Sequence, residues 1–201
     1  MTPPLPPLLL ASASPRRQEL LSQAGVDFAV VVAEDAEPQR TLDEDCADFA
    51  RRAAEAKALA VAAVHPGRLT LGADTIVVLD DAILGKPSSA NEARDMLRRL
   101  SGRTHRVHTA IAVARGGALY SAVESVDVTF RPLTPQDVAA YVATGEPMDK
   151  AGAYGIQGYG AVLVDYIHGD FFAVMGLPLA RLVRLLREAG VDHQFGDTRF
   201  A

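Results

Sequence analysis

The chain has 201 residues, 49% of them hydrophobic, and a formal net charge of −5, enough for one substantial domain or two small lobes sharing a sheet. One cysteine, Cys46, can form no internal disulfide and no zinc set, so a cytoplasmic home is expected. The acidic balance leaves no global basic footprint for a nucleic-acid polymer, and no stretch approaches the roughly 18 apolar residues of a membrane span.

"MTPPLPP" has neither a basic n-region nor an apolar h-region, and reads as a flexible leader over residues 1–7. Leu8 to Ala11 is a short apolar run expected to be a buried strand. Ser14 as N-cap, Pro15 at the first helical position and Gly25 past the end predict a helix between them. Arg16 and Arg17 fall in its first turn, where the helix dipole disfavours each cation by roughly 0.3–1 kcal/mol. Such a pair calls for an anion. "VDFAVVVA" (26–33) is expected to be a second buried strand, followed by the acidic turn "EDAEPQR" with Ala36 and Glu37. A capping box, Thr41 with Glu44, predicts a helix to about Val64, stopped by Pro66 and Gly67. Its apolar stripe is Cys46, Phe49, Ala50, Ala53, Ala60, Val61 and Val64, with Lys57 inside it.

"LTLGADTIVVLDDAILGKP" (69–87) reads as a strand, a turn at Asp80 and Asp81, and a short return strand ending at Gly85. Ser89 with Glu92 caps a helix to Leu100. "HRVHTAIAVAR", "GGA" and "ESVDVTFRPL" form a hairpin, with Val126, Val128 and Phe130 on one face and Asp127 and Thr129 on the other. Thr134, Pro135 and Asp137 start a helix that ends at Gly145. After the glycine-dense "DKAGAYGIQGYG" (149–160) come two expected strands, "AVLVDYIHG" and "FFAVMG". A helix from about Pro178 to Ala189 follows, with Leu179, Leu182, Val183 and Leu186 inward. Residues 191–201 read as a polar, poorly ordered tail. Strands alternating with helices imply an α/β fold.

Asp74 stands out because an ionised carboxylate inside an apolar strand needs a cation or strong donors. It is either a strand-end cap for a neighbouring loop or part of a charged site. Lys57 is either a snorkelling lysine or that partner. Lys86, fixed between Gly85 and Pro87, is either a loop lysine or a ligand contact. Together with Glu37, Arg16 and Arg17 they suit a polyphosphate with a divalent metal: carboxylates for the metal, cations and helix-start amides for phosphate oxygens. The P-loop pattern is missing, and "GIQGYG" has the wrong glycine order for a dinucleotide fingerprint. The histidines of "HRVH" point to opposite faces of a strand, which argues for ordinary structural roles. Gln157 offers one acceptor and two donors, matching the imide edge of uracil or thymine.

"LASASPRRQELL", "GADTIVVLDDAILGKP", "LSGRTHRVHTAIAV", "DKAGAYGIQGYGAVLV" and "GDFFAVMGLPL" closely resemble the Maf family of nucleoside triphosphate pyrophosphatases, in order and spacing from about Leu8 to Leu186. The resemblance implies an inosine-triphosphatase-like fold over residues 8–190: an elongated mixed sheet with flanking helices and a cleft between two lobes. It implies hydrolysis of a nucleoside triphosphate to the monophosphate and diphosphate, with Mg2+ or Mn2+. It makes Asp74 the proton acceptor and Glu37 and Asp74 the metal holders. Ser12, Arg16, Lys57 and Lys86 become phosphate and metal-site residues, with Lys57 and Lys86 joining Asp74 and Glu37 in the catalytic set; Arg17 is counted with the substrate-binding residues, either as a contact or as a supporting neighbour of Arg16. Arg16, Thr75 and Gln157 match the specificity positions. "DKAGAYGIQG" resembles the branch acting on dTTP and UTP; the alternatives are a 7-methyl-GTP enzyme and a nucleotide-binding regulator of septum formation. Ala36 departs from an acid frequent in relatives, which bears on the metal-ligand count. A homodimer is expected because relatives often form one.

Overall fold

The N-terminal apolar run becomes β1 (Leu8–Leu10), and Pro15 opens α1 (Pro15–Gln23). The computed structural model describes residues 6–32, 38–194 and 197–200; the start of the leader, together with Ala36 and Glu37, lies outside them. Helix α1 ends in a Schellman arrangement: the Gly25 and Val26 amides donate to the Ser22 and Leu21 carbonyls, both at 3.0 Å, and Val26 and Leu21 are buried together. Strand β2 (Phe28–Val30) pairs with β1 in parallel. It is shorter and more open than the sequence suggests. It forms an edge of the sheet, so only one side of each residue is covered, and Val30 is 41% exposed.

Helix α2 (Cys46–Val64) begins later than the Thr41/Glu44 pattern implies. Those two residues close a turn of their own, with the Thr41 amide donating to Glu44. The cap is Asp45, whose carboxylate accepts the Ala47 amide at 2.8 Å. The buried stripe is Cys46, Ala50, Ala53, Ala54, Ala58 and Val61, while Ala60 and Val64 face solvent. Strands β3 (Thr70–Leu79) and β4 (Ala82–Leu84) meet in an antiparallel hairpin. Both turn residues, Asp80 and Asp81, have positive φ, as a tight primed turn requires. Helix α3 (Ala90–Leu100) follows, capped by Ser89. Strands β5 (Thr104–Arg115) and β6 (Ala118–Phe130) come next. Val126, Val128 and Phe130 of β6 are buried, as their alternation implies. Helix α4 (Pro135–Ala143) carries a full capping box between Thr134 and Asp137. Arg131 and the Thr134 donors hold the Asp137 carboxyl far below the usual carboxylate range.

Three short 3-10 segments lead to β7 (Val164–His168), antiparallel to β6. "FFAVM", expected as a strand, is instead the helix α5 (Phe171–Met175): the Asp170 carboxylate accepts the Phe172 amide at 2.8 Å, and its carbonyl accepts those of Ala173 and Val174. Helix α6 (Leu179–Glu188) buries Leu182, Leu185 and Leu186, leaving Leu179 and Val183 half-buried. The expected disordered tail is corrected too. Strands β8 (Val191–Gln194) and β9 (Asp197–Phe200) pair antiparallel, and Val191 at the start of β8 is fully buried.

The main sheet runs β2-β1-β3-β5-β6-β7, with β4 beside β3, so the mixed α/β fold with flanking helices is as the sequence implies. The chain divides into two compact units, one of residues 1–74, 109–124 and 176–201, the other of residues 75–108 and 125–175. In the first, Leu9, Ala11 and Val61 pack together with Val31. In the second, α3, α4 and β6 bury Leu97, Leu100, Val138 and Phe130 in one core; full burial of a side chain such as Phe130 contributes about 1.5–3 kcal/mol. No helix among the described residues is long and apolar enough to cross a membrane.

Candidate functional site

In the first unit β1 lies between β2 and β3, parallel to both. The chain leaves β1 for one neighbour through α1 and then returns past it to the other through α2. That reversal is the switch point of an open α/β sheet, where ligands collect outside the carboxyl ends of the strands. Leu10 is in register with Leu71, and the Ala11 amide donates to the Leu71 carbonyl at 2.8 Å. Continuing that register sets Ser12 and Ala13 of the loop before α1 against Ala73 and Asp74.

Asp74 is 7% exposed, and its Oδ1 accepts the Lys57 ammonium at 2.6 Å. Lys57 is therefore an ion-pair partner rather than a snorkelling lysine. The meeting depends on the face of β3 that α2 covers. Thr70, Gly72 and Asp74 alternate onto that face. The Thr70 hydroxyl donates to the Ala58 carbonyl of α2 at 3.2 Å, and α2 crosses Gly72 so closely that a Cβ there would lie 2.1 Å from the Ala54 carbonyl oxygen. With no side chain between them, helix and strand backbones bring Lys57, next to Ala58, onto Asp74. Among the described residues Asp74 Oδ2 accepts no hydrogen bond. A hard oxygen of this kind at a buried carboxylate is the donor type that Mg2+ or Mn2+ takes, while no group of three or more His, Cys, Asp or Glu side chains that could hold a metal ion stands together among the described residues.

The two arginines of α1 part company. Arg17 donates through Nη1 to Ser12 Oγ at 2.8 Å and through Nε to the Gly176 carbonyl at 3.0 Å, so it braces the loop. Half-buried Arg16 has no hydrogen bond or ion pair among the described residues. No acidic residue stands in the first turn, and the Ser14 side chain does not cap it.

Thr75, Lys86 and Gln157 belong to the second unit. Thr75 is half-buried next to Asp74, and Lys86 is exposed after β4. Gln157 is exposed, and its side chain makes no hydrogen bond among the described residues. The loop carrying it is nevertheless tightly built. Glu146 accepts the Tyr141 hydroxyl, the Tyr159 amide and the Gly160 amide, each at 2.9 Å. Tyr141 in turn accepts the Gly155 amide at 3.1 Å. At Gly160 a Cβ would sit 2.2 Å from the Gly155 carbonyl, so only glycine closes this loop. The histidines of "HRVH" take separate structural places. His108 Nδ1 meets Ser125 Oγ at 2.8 Å. His105 Nε2 meets the Tyr154 hydroxyl at 2.8 Å, with the Phe130 and Tyr154 rings edge-on to it. Burial pushes the His105 imidazole down to about 4, against a smaller opposing effect of Asp127.

Sequence reasoning missed Gly72, Tyr141 and Glu146. Glycine inside an apolar strand was the available signal for Gly72. Glu146 lies eleven residues before Gln157 with no local pattern joining them.

A family model described as Maf-like protein matches residues 7–189. The chain belongs to the Maf family. Among Maf relatives, a protein named dTTP/UTP pyrophosphatase from Nitratidesulfovibrio vulgaris is 52% identical over 188 residues, covering 93% of this chain and 90% of its own. One of the same name from Symbiobacterium thermophilum is 51% identical over 183 residues, covering 91% and 94%. A solved structure of a nucleoside-triphosphatase / dITP/XTP pyrophosphatase from Mycobacterium abscessus superposes with a TM-score of 0.48 at 18% identity, covering 92% of this Maf chain and 98% of its own.

Proposed function

We propose that this Maf chain is a nucleoside triphosphate pyrophosphatase that hydrolyses dTTP and UTP to the monophosphate and diphosphate. The observation that carries the reading is the buried Asp74 in the middle of β3, fixed through one oxygen by Lys57 at 2.6 Å and with its other oxygen accepting no hydrogen bond among the described residues. Relatives of about 50% identity carry the dTTP/UTP pyrophosphatase name, which supports the choice of substrate.

In this reading Lys57 holds the Asp74 carboxylate in one orientation. Its other oxygen accepts a proton from water as the water oxygen attacks the α-phosphorus. The bond from the α-phosphorus to the bridging oxygen breaks, and diphosphate leaves with the electron pair. Arg16, Lys86 and the amides of the first turn of α1 meet phosphate oxygens, so that the work is positioning and charge neutralisation. Arg17 keeps Ser12 and the loop in place. Asp74 and Glu37 would hold a divalent cation, which when bound offsets phosphate charge. Gln157 reads the imide edge of the base, with Thr75 as the other specificity position.

Diphosphate release from dTTP, UTP, CTP, GTP and 7-methyl-GTP, with and without EDTA, tests the assignment. Highest turnover on the first two, abolished by EDTA, is expected; highest turnover on 7-methyl-GTP overturns it. Asp74→Asn is expected to lose about 10²–10⁴-fold in kcat while still binding a fluorescent nucleotide. Unchanged turnover removes Asp74 from the role of proton acceptor.

A further inference from the structure

A glutamine amide can turn over and pair with cytosine as readily as with uracil. Preference for the imide edge therefore depends on how the loop delivers Gln157, and Gln157 has no side-chain hydrogen bond of its own among the described residues. What holds the loop is a single carboxylate. Both oxygens of Glu146 are used: Oε1 accepts the Tyr141 hydroxyl and the Gly160 amide, and Oε2 accepts the Tyr159 amide. On the other side of Gln157, the Tyr141 oxygen accepts the Gly155 amide. The backbone two residues before Gln157 and two and three residues after it is thus tied to one pair, the half-buried Glu146 and the buried Tyr141.

The pair has a fixed base. Tyr141 is 5% exposed and belongs to the core of the second unit. Burial works against the charge on Glu146, yet the Tyr159 and Gly160 amides, the Tyr141 hydroxyl and Lys150 outweigh it and lower its pKa. The carboxylate is therefore ionised and accepts from every donor around it. Gly158 and Gly160 leave room: a Cβ would meet Glu146 Oε2 at 2.5 Å in the first case and Tyr141 Oη at 2.6 Å in the second.

We propose that Glu146, with Tyr141, is the positioning residue that sets base discrimination, by holding the Gly155–Gly160 loop so that Gln157 presents its amide in one place. The inference rests on the reading of Gln157 given above. Glu146→Gln keeps the shape but substitutes an NH2 group for one acceptor oxygen, facing amides that can only donate. Tyr141→Phe removes one oxygen and leaves the ring in the core.

The test is the ratio of kcat/KM for UTP to that for CTP in four proteins: the parent, Gln157→Ala, Glu146→Gln and the double variant. Glu146→Gln is expected to reduce the ratio on the order of tenfold, chiefly through KM for UTP. In the Gln157→Ala background it is expected to have no further effect on the ratio. If Gln157→Ala leaves the ratio unchanged, the reading of Gln157 and this inference both fall. If Gln157→Ala lowers the ratio and Glu146→Gln does not, or scales both substrates down equally, the positioning role alone is overturned. Should Glu146→Gln unfold below assay temperature, Tyr141→Phe decides the matter: a fallen ratio supports the role, and a preserved one refutes it.

Discussion

Replacing Gly72 by alanine adds one methyl group at the closest approach of β3 and α2. The new Cβ would lie 2.1 Å from the Ala54 carbonyl oxygen and 2.6 Å from the Ala58 amide nitrogen, against an ordinary contact of 3.4 Å. Both neighbours are helix backbone, so no side chain can turn away, and α2 must withdraw by about 1.3 Å. Lys57 follows Ala56 and precedes Ala58 on that helix, so the 2.6 Å contact with Asp74 opens by a similar distance. Overpacking of this kind costs about 1–3 kcal/mol, a fall of roughly 2–12 °C in Tm for a chain of this size. A misplacement of about 1 Å at a catalytic group costs on the order of 100-fold in rate. The expected result on UTP is therefore a folded enzyme, lower in Tm and about 100-fold lower in kcat. A Tm within a degree of the parent together with full turnover would refute the argument that Gly72 lets Lys57 reach Asp74.

The arginines of α1 are separable by two measurements. Arg16→Ala is expected to leave Tm unchanged and raise KM about tenfold, since Arg16 has no partner among the described residues, whereas Arg17→Ala lowers Tm by losing bonds to Ser12 and the Gly176 carbonyl; the reverse pattern sinks both assignments. His105 binds a proton near pH 4 in the fold, below its ordinary value of 6.5. The unfolded chain thus gains a proton first as pH falls, so this group's contribution, about 3 kcal/mol, is complete above pH 6.5 and is lost between there and pH 4. Melting at pH 7.5 and pH 5 should show a steeper loss for the parent than for His105→Gln; equal slopes count against it.

Local chemistry made the frame readable. Pro15, Ser89 and Thr134 mark helix starts that the structure keeps, and the Asp80-Asp81 turn sits where its polar residues interrupt two apolar runs. The charged candidates were readable for a related reason: Asp74 and Lys57 violate the apolar pattern of their elements, and each resolves the cost of the other. What was not readable depends on distant partners. β2 looks buried by composition but lies at a sheet edge, and "FFAVM" has strand-like residues that a single capping aspartate turns into a helix. The Glu146 clamp joins residues from α4 to Gly160 through backbone amides, which carry no sequence signature at all. Why Gly72 is glycine is likewise visible only from the helix above it.

The bond from Arg17 to the Gly176 carbonyl spans 159 positions of the chain. Ser121 to Glu55, Arg181 to Glu124 and Arg115 to the Ala189 carbonyl add further ties among the three stretches of the first unit. During synthesis Ser12, Arg16, Lys57 and Asp74 all leave the ribosome well before residue 176, which brings the Gly176 carbonyl that Arg17 of their loop binds. The unit that carries Asp74 is thus no contiguous fragment that could be cut out, transplanted or matured early. It is complete only when the stretches 109–124 and 176–201 have joined the first.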